Sequence, residues 1–159
     1  MIKRRILLAV FASLLIMTAS GECMAEEENA SGEEYRPHRI ELFLGNTHDE
    51  GENNFTIGLS YGYRVNRLLG VGASIERVGG EEVRDWIIII PFYLHPYKGW
   101  RFVLAPGIEG QIEDNEFLFR VGAAYEFEIG RWLIAPEFNL DFVDGREVPV
   151  FGFSFGYAF

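Results

Sequence analysis

The chain has 159 residues, 48% of them hydrophobic and 15% aromatic, and carries a formal charge of −10. The length suits one domain, and so acidic a chain is a poor partner for nucleic acid, whose phosphates need cations. A single cysteine excludes an intramolecular disulfide framework and a thiolate metal cluster.

Lys3-Arg4-Arg5 precedes the apolar run Ile6 to Ala19, the charge and length of a secretory signal peptide. The run, about 14 residues, is short for a membrane-spanning helix. Cys23 and Ala25 are small residues at −3 and −1, so residues 1–25 are predicted to be removed by cleavage after Ala25. The rival reading, lipoprotein processing at Cys23, is poorly served by Gly21-Glu22. Cleavage would remove the cysteine with three basic and one acidic residue, moving the charge to about −12. Residues 26–37, beginning Glu26-Glu27-Glu28, read as a disordered acidic leader.

From His38 onward apolar and polar residues alternate with period 2, and no helical pattern of useful length intervenes. The alternation predicts eight strands, at about 38–46, 53–65, 68–79, 84–95, 99–112, 115–129, 131–143 and 147–159. One face of each is apolar and uncharged, as in Phe55/Ile57/Leu59/Tyr61/Tyr63 and Trp132/Ile134/Pro136/Phe138/Leu140. The other face mixes glycine with charge: Arg39 and Glu41, Gly58 to Arg64, Gly70 to Glu76, Arg101 and Glu109, Arg120 and Glu126, Glu137 to Asp141. The fourth strand departs from this, with Ile87, Ile89 and Pro91 also on the inner side.

The terminal strand is the most diagnostic. Phe151, Phe153, Phe155, Tyr157 and Phe159 alternate with Gly152, Ser154, Gly156 and Ala158. Small residues make a poor solvated surface, so the rings are expected to face lipid and the small side to face a crowded interior. A soluble calyx would need the reverse arrangement. Asn66-Arg67, Pro96-Tyr97-Lys98 and Gly130 read as short turns at one rim. Acid-rich loops are expected at the other, over 46–53, 79–85, 112–116 and 143–147, the asymmetry of periplasmic turns and extracellular loops.

Leu69 to Ser74 (LGVGAS), Arg120 to Phe127 (RVGAAYEF) and Phe151 to Phe159 (FGFSFGYAF) resemble the small eight-stranded outer-membrane β-barrels, of the OmpX and OmpA-transmembrane-domain type, over about residues 38–159. The resemblance implies an all-β, antiparallel, up-and-down transmembrane barrel in the outer membrane of a Gram-negative bacterium. It also implies a C-terminal signal at Phe155, Tyr157 and Phe159 for the barrel assembly machinery, and contact with outer-membrane lipid and lipopolysaccharide. It leaves activity open, since such barrels serve many roles.

Lumenal Glu41, Arg64, Glu76, Arg101, Glu109, Arg120 and Glu137 are expected to pair as a structural network, because an eight-stranded interior is filled by side chains and unpaired buried charges are costly. A proton or ion path is the competing reading. The lipid A-modifying enzymes of this size need a nucleophile, a base and a carboxylate together. His38 opens a strand, His48 lies in a loop and His95 sits beside a turn, none matched in depth to Ser60, Ser74 or Ser154. The acidic stretch His48 to Asn53 departs from calcium-loop spacing. The expectation is a monomeric, non-enzymatic barrel without cofactor or metal, with a structural or surface-interaction role through its acidic loops. A small-solute pore is the alternative and a lipid A-modifying enzyme the remoter one.

Overall fold

The period-2 alternation becomes an antiparallel sheet that closes on itself. The computed structural model describes residues 36–49, 51–79, 84–111 and 114–159. The proposed signal peptide and the leader up to residue 35 lie outside them. Ten hydrogen-bonded segments appear: β1 (His38–Asp49), β2 (Glu52–Arg64), β3 (Leu69–Gly79), β4 (Arg84–Ile89), β5 (Phe92–Tyr97), β6 (Trp100–Gln111), β7 (Asp114–Tyr125), β8 (Phe127–Ile129), β9 (Trp132–Val143) and β10 (Arg146–Ala158). They are eight strands. β4 and β5 together fill one position between β3 and β6, and β7 and β8 both pair with β9.

The first break has a covalent cause, since Pro91 has no N–H to give the ladder. Its carbonyl still accepts from Gly72 N at 2.8 Å, so the sheet continues across the gap. Glu126 marks the second break and donates its N–H to Gly99 O at 2.6 Å. Closure comes from β1 on β10, in register from Arg39↔Ala158 to Thr47↔Val150. The first and last described ends meet there, with His38 and Phe159 exchanging backbone bonds of 3.1 and 2.9 Å.

The expected contrast of short turns with long loops does not hold. β1 and β2 pair as far as Asp49↔Glu52, and β9 and β10 as far as Val143↔Arg146. Asp144 and Gly145 have φ of 44° and 80°, the doubly positive geometry of a two-residue hairpin. β6 and β7 pair to Gln111↔Asp114, again leaving two residues, and β3 and β4 pair to Gly79↔Arg84, leaving four. Sequence hydropathy marks where the apolar band stops; backbone pairing carries on beyond it into polar residues. The turn expected at Pro96-Tyr97-Lys98 is likewise tighter. Pro96 falls within β5, where the register shifts between Leu94 and Tyr97, and Tyr97 pairs with Trp100 across Lys98-Gly99.

The outer wall is largely apolar: Leu59, Ile88, Phe102, Phe119, Phe138 and Phe153 are exposed, but Arg77 of β3 is exposed beside Ile57 and Trp86, so the uncharged outer face expected of every strand does not hold there. Aromatic rings gather at the rim that holds the chain ends. His38 stacks on Phe159 at 5.6 Å, Trp100 meets Tyr125 at 5.3 Å, Tyr125 meets Phe127 at 4.9 Å and Trp132 meets Tyr157 at 5.1 Å. Trp86, Phe55, Phe117 and Phe151 are exposed toward the far rim.

Candidate functional site

The lumen is filled by two ion clusters, two aromatic rings and an apolar layer. The cluster nearer the chain ends centres on Arg101 of β6, which is 1% exposed. Its Nη1 donates to both oxygens of Glu41, at 2.7 and 2.8 Å, and lies 3.1 Å from Glu126 Oε1. Its Nη2 donates to Glu137 Oε2 at 2.9 Å. Glu126 also receives Arg39 Nη1 at 2.7 Å and Arg64 Nη2 at 3.5 Å, with His95 Nε2 3.7 Å away. Ser154 Oγ, at 3.0 Å, and Asn139 Nδ2, at 3.2 Å, complete Glu137.

The second cluster holds one arginine between two acids. Arg120 of β7 donates through Nη1 and Nη2 to Glu76, at 2.5 and 2.9 Å, and through Nε and Nη2 to Asp141, at 2.6 and 2.7 Å. Both pairs have the two-pronged geometry that guanidinium and carboxylate favour. Asp141 faces Arg120 directly across the β7–β9 ladder, while Glu76 reaches it across the lumen from β3.

Of the seven residues singled out from sequence, the structure thus brings Glu41, Arg64, Arg101 and Glu137 into one cluster and Glu76 and Arg120 into the other. Glu109 lies half-buried nearer the far rim, its backbone paired with Ile87 and Glu116. Arg39, Glu126 and Asp141, assigned from sequence only to the inner face, prove central.

Two inward aromatics were not singled out from sequence. Tyr93 lies between Arg39 and Arg101, whose guanidinium carbons sit 4.7 and 5.3 Å from its ring centroid. A Cβ at Gly72 would crowd the backbone carbonyl of Tyr61 and lie 3.1 Å from Tyr93 Cε2, so that glycine serves both the close strand pairing and the ring. Phe43 is buried likewise, and a Cβ at Gly152 would crowd the β1 backbone at Leu44 and Gly45 as well as approach Phe43 Cε2 to 2.8 Å. The signal was available: Tyr93 shares parity with Pro91, and Gly70, its cross-strand partner, shares parity with Gly72. Beyond the second cluster Val78, Ile87, Leu118 and Val143 form an apolar layer, joined by a Thr47–Thr56 hydroxyl bond of 2.6 Å. The lumen is therefore less polar than glycines, acids and arginines alone would make it.

Between the clusters lies a cavity of about 30 Å³, bordered by Glu41, Arg101 and Glu137 on one side and Glu76, Arg120 and Ser74 on the other. That is room for one or two waters. The histidines stand apart from the lumenal serines: His38 bonds Tyr61 Oη at 2.6 Å, His48 bonds Asn53 at 3.0 Å, and His95 faces Glu126. Among the described residues no group of three or more His, Cys, Asp or Glu is placed to hold a metal ion. Phe155 and Phe159 are exposed on the outer wall, and Tyr157 pairs with Ile40 and Trp132.

No protein-family model and no curated protein matches the chain. Solved structures do. The N-terminal β-barrel domain of Pseudomonas aeruginosa OprF superposes with a TM-score of 0.61 at 14% identity, covering 78% of this chain and 98% of that one. The fold is that of the small outer-membrane barrels. Ail, the attachment invasion locus protein of Yersinia pestis, matches with a TM-score of 0.55 at 16% identity, over 79% of this chain and 100% of its own. Neisserial surface protein A gives 0.55 at 9% identity, over 77% and 96%. An outer-membrane-type barrel shared at such low identity shows that alternation and closure are common to them; the lumenal side chains have to be read from this chain itself.

Proposed function

We propose that the mature chain is an integral outer-membrane barrel of a Gram-negative bacterium, monomeric, closed and non-enzymatic, whose role is structural or lies in contacts made by its acidic far rim. The filled lumen carries this reading. With two ion clusters, Tyr93, Phe43 and the apolar layer in place, the cavity left between the clusters is about 30 Å³, so the outer wall and the rims are left as working surfaces. The apolar wall and aromatic girdle support the membrane setting. Export through the signal peptide would leave the chain ends in the periplasm and the far rim outside.

That rim carries Asp49, Glu52, Glu116, Asp144 and Glu147, with Arg146 bridging Asp49 at 3.1 Å and Glu116 at 3.4 Å. Ail has been crystallised with the heparin analogue sucrose octasulfate, a polyanion. An acidic rim repels such a ligand and favours cationic partners.

Planar-bilayer recording tests closure: no reproducible conductance steps are expected. Steps abolished by changing Glu109 or Arg120 would establish the pore instead. Lipid A from cells with and without the protein should have identical masses; a mass difference would establish an enzyme. Phe159→Asp should sharply lower the amount of heat-modifiable barrel in the outer-membrane fraction, and normal amounts would remove the terminal assembly signal.

A further inference from the structure

The chain-end mouth of the lumen holds a histidine that the ion clusters leave without a hydrogen bond. His95 of β5 shares inward parity with Tyr93, and its side chain is only 9% exposed. Its backbone is anchored, with N donating to Leu68 O at 2.7 Å. Pro96 follows it, and the ladder shifts register between Leu94 and Tyr97. Neither Nδ1 nor Nε2 has a hydrogen-bond partner among the described residues. Nε2 stands 3.7 Å from Glu126 Oε1, too far for a hydrogen bond but within reach of an ion pair once the ring is charged. Buried polar groups are nearly always bonded, so an orphaned ring facing a carboxylate points to a second arrangement in which it is satisfied.

The groups around the ring come from five elements. Glu126, at the junction of β7 and β8, faces it directly; Arg39 of β1 and Arg64 of β2 act on it through their charge. Tyr93 of its own strand packs against it at 6.4 Å. Arg101 of β6 meets the same oxygen of Glu126 at 3.1 Å, and Glu41 of β1 pairs with both Arg101 and Arg39.

Three arginines thus share Glu126, unequally. Arg39 Nη1 lies 2.7 Å from Oε1, and Arg39 and Arg101 are both buried. Arg64 holds Oε2 at 3.5 Å, the longest of the three contacts, and its side chain is 29% exposed. The cation held least tightly is also the one most open to solvent. Charge balance favours a fourth cation here. The two clusters set Arg39, Arg64, Arg101 and Arg120 against Glu41, Glu76, Glu126, Glu137 and Asp141, four cations against five carboxylates. One proton on His95 makes the interior neutral, and a filled lumen favours neutrality.

From this geometry we infer that His95 is a proton-operated latch at the mouth of the lumen. Uncharged, the ring leaves Glu126 to the three arginines. A proton from solvent, taken at the ring nitrogen that lacks one, makes both nitrogens donors. Nε2–H then donates to Glu126, and Arg64 is displaced toward the rim. An imidazole exchanges its proton in mildly acid solution, so pH at that mouth selects between two charge arrangements of the same fold. The inference goes beyond the function proposed above, which adds only that this mouth opens on the periplasm.

The test follows the isotope-labelled full-length barrel by NMR in detergent micelles, so that it does not depend on membrane insertion. The His95 ring and Arg64 Nε–H signals are assigned by their loss in His95→Gln and Arg64→Gln. The ring should gain its proton between about pH 5 and pH 7, and the Arg64 signal should move with the same midpoint. In Arg64→Gln, with the competing cation gone, the His95 midpoint should rise by about one pH unit. In His95→Gln the Arg64 signal should stay fixed across the range. A ring that stays neutral down to about pH 4 overturns the latch, and so does unfolding before the ring titrates. An Arg64 signal that ignores His95, or a midpoint unchanged in Arg64→Gln, overturns the exchange. Heat-modifiable mobility confirms that each variant has folded; Arg64→Lys, expected to move the midpoint less, takes the place of Arg64→Gln should that variant fail.

Discussion

The two ion clusters solve the same electrostatic problem differently. Near the chain ends three arginines, Arg39, Arg64 and Arg101, share Glu41, Glu126 and Glu137, and most carboxylates touch more than one cation. Farther along, Glu76 and Asp141 both converge on Arg120. The first arrangement is redundant for Glu41 and Glu126, though Glu137 leans on Arg101 alone, while the second concentrates its whole neutralisation in one guanidinium. Buried charge is tolerated through pairing, so the cost of a lost group depends on how many partners remain.

Arg120→Met should therefore be the most damaging change, leaving two buried carboxylates without their cation and costing about 4 kcal/mol, read from urea unfolding in lipid vesicles. Arg101→Met leaves Arg39 on Glu126 and Glu41 but strips Glu137 of its cation, and should cost about 3 kcal/mol. Equal losses would erase the distinction between the clusters. Gly72→Val presses first on the backbone carbonyl of Tyr61 and then on the Tyr93 ring. A cost of about 1–3 kcal/mol is expected from overpacking, whereas an effect below that of a surface change would show that strand and ring both give way. Arg146→Ala, which removes the partly exposed bridges to Asp49 and Glu116, should cost less than about 1 kcal/mol and less still in high salt.

Strand positions and inward or outward direction were readable because both follow from a period of two, which Phe151 to Phe159 or Phe55 to Tyr63 display without interruption. The lumenal partners were not. Glu76 and Arg120 lie on strands that do not pair, and closure of the cylinder is what brings them together. Phe43 and Tyr93 escaped because an inward aromatic looks out of place on a face judged by its charges; the glycines that admit them lie on neighbouring strands. The hairpins were misjudged because Asn46 to Asp49 turn polar three residues before their pairing stops.

The tightness of those hairpins has a consequence for anything that approaches the cell. With two residues between Asp49 and Glu52 and two between Val143 and Arg146, these two hairpins leave a protease little slack chain to draw into its cleft and an antibody little more than a knuckle to grip.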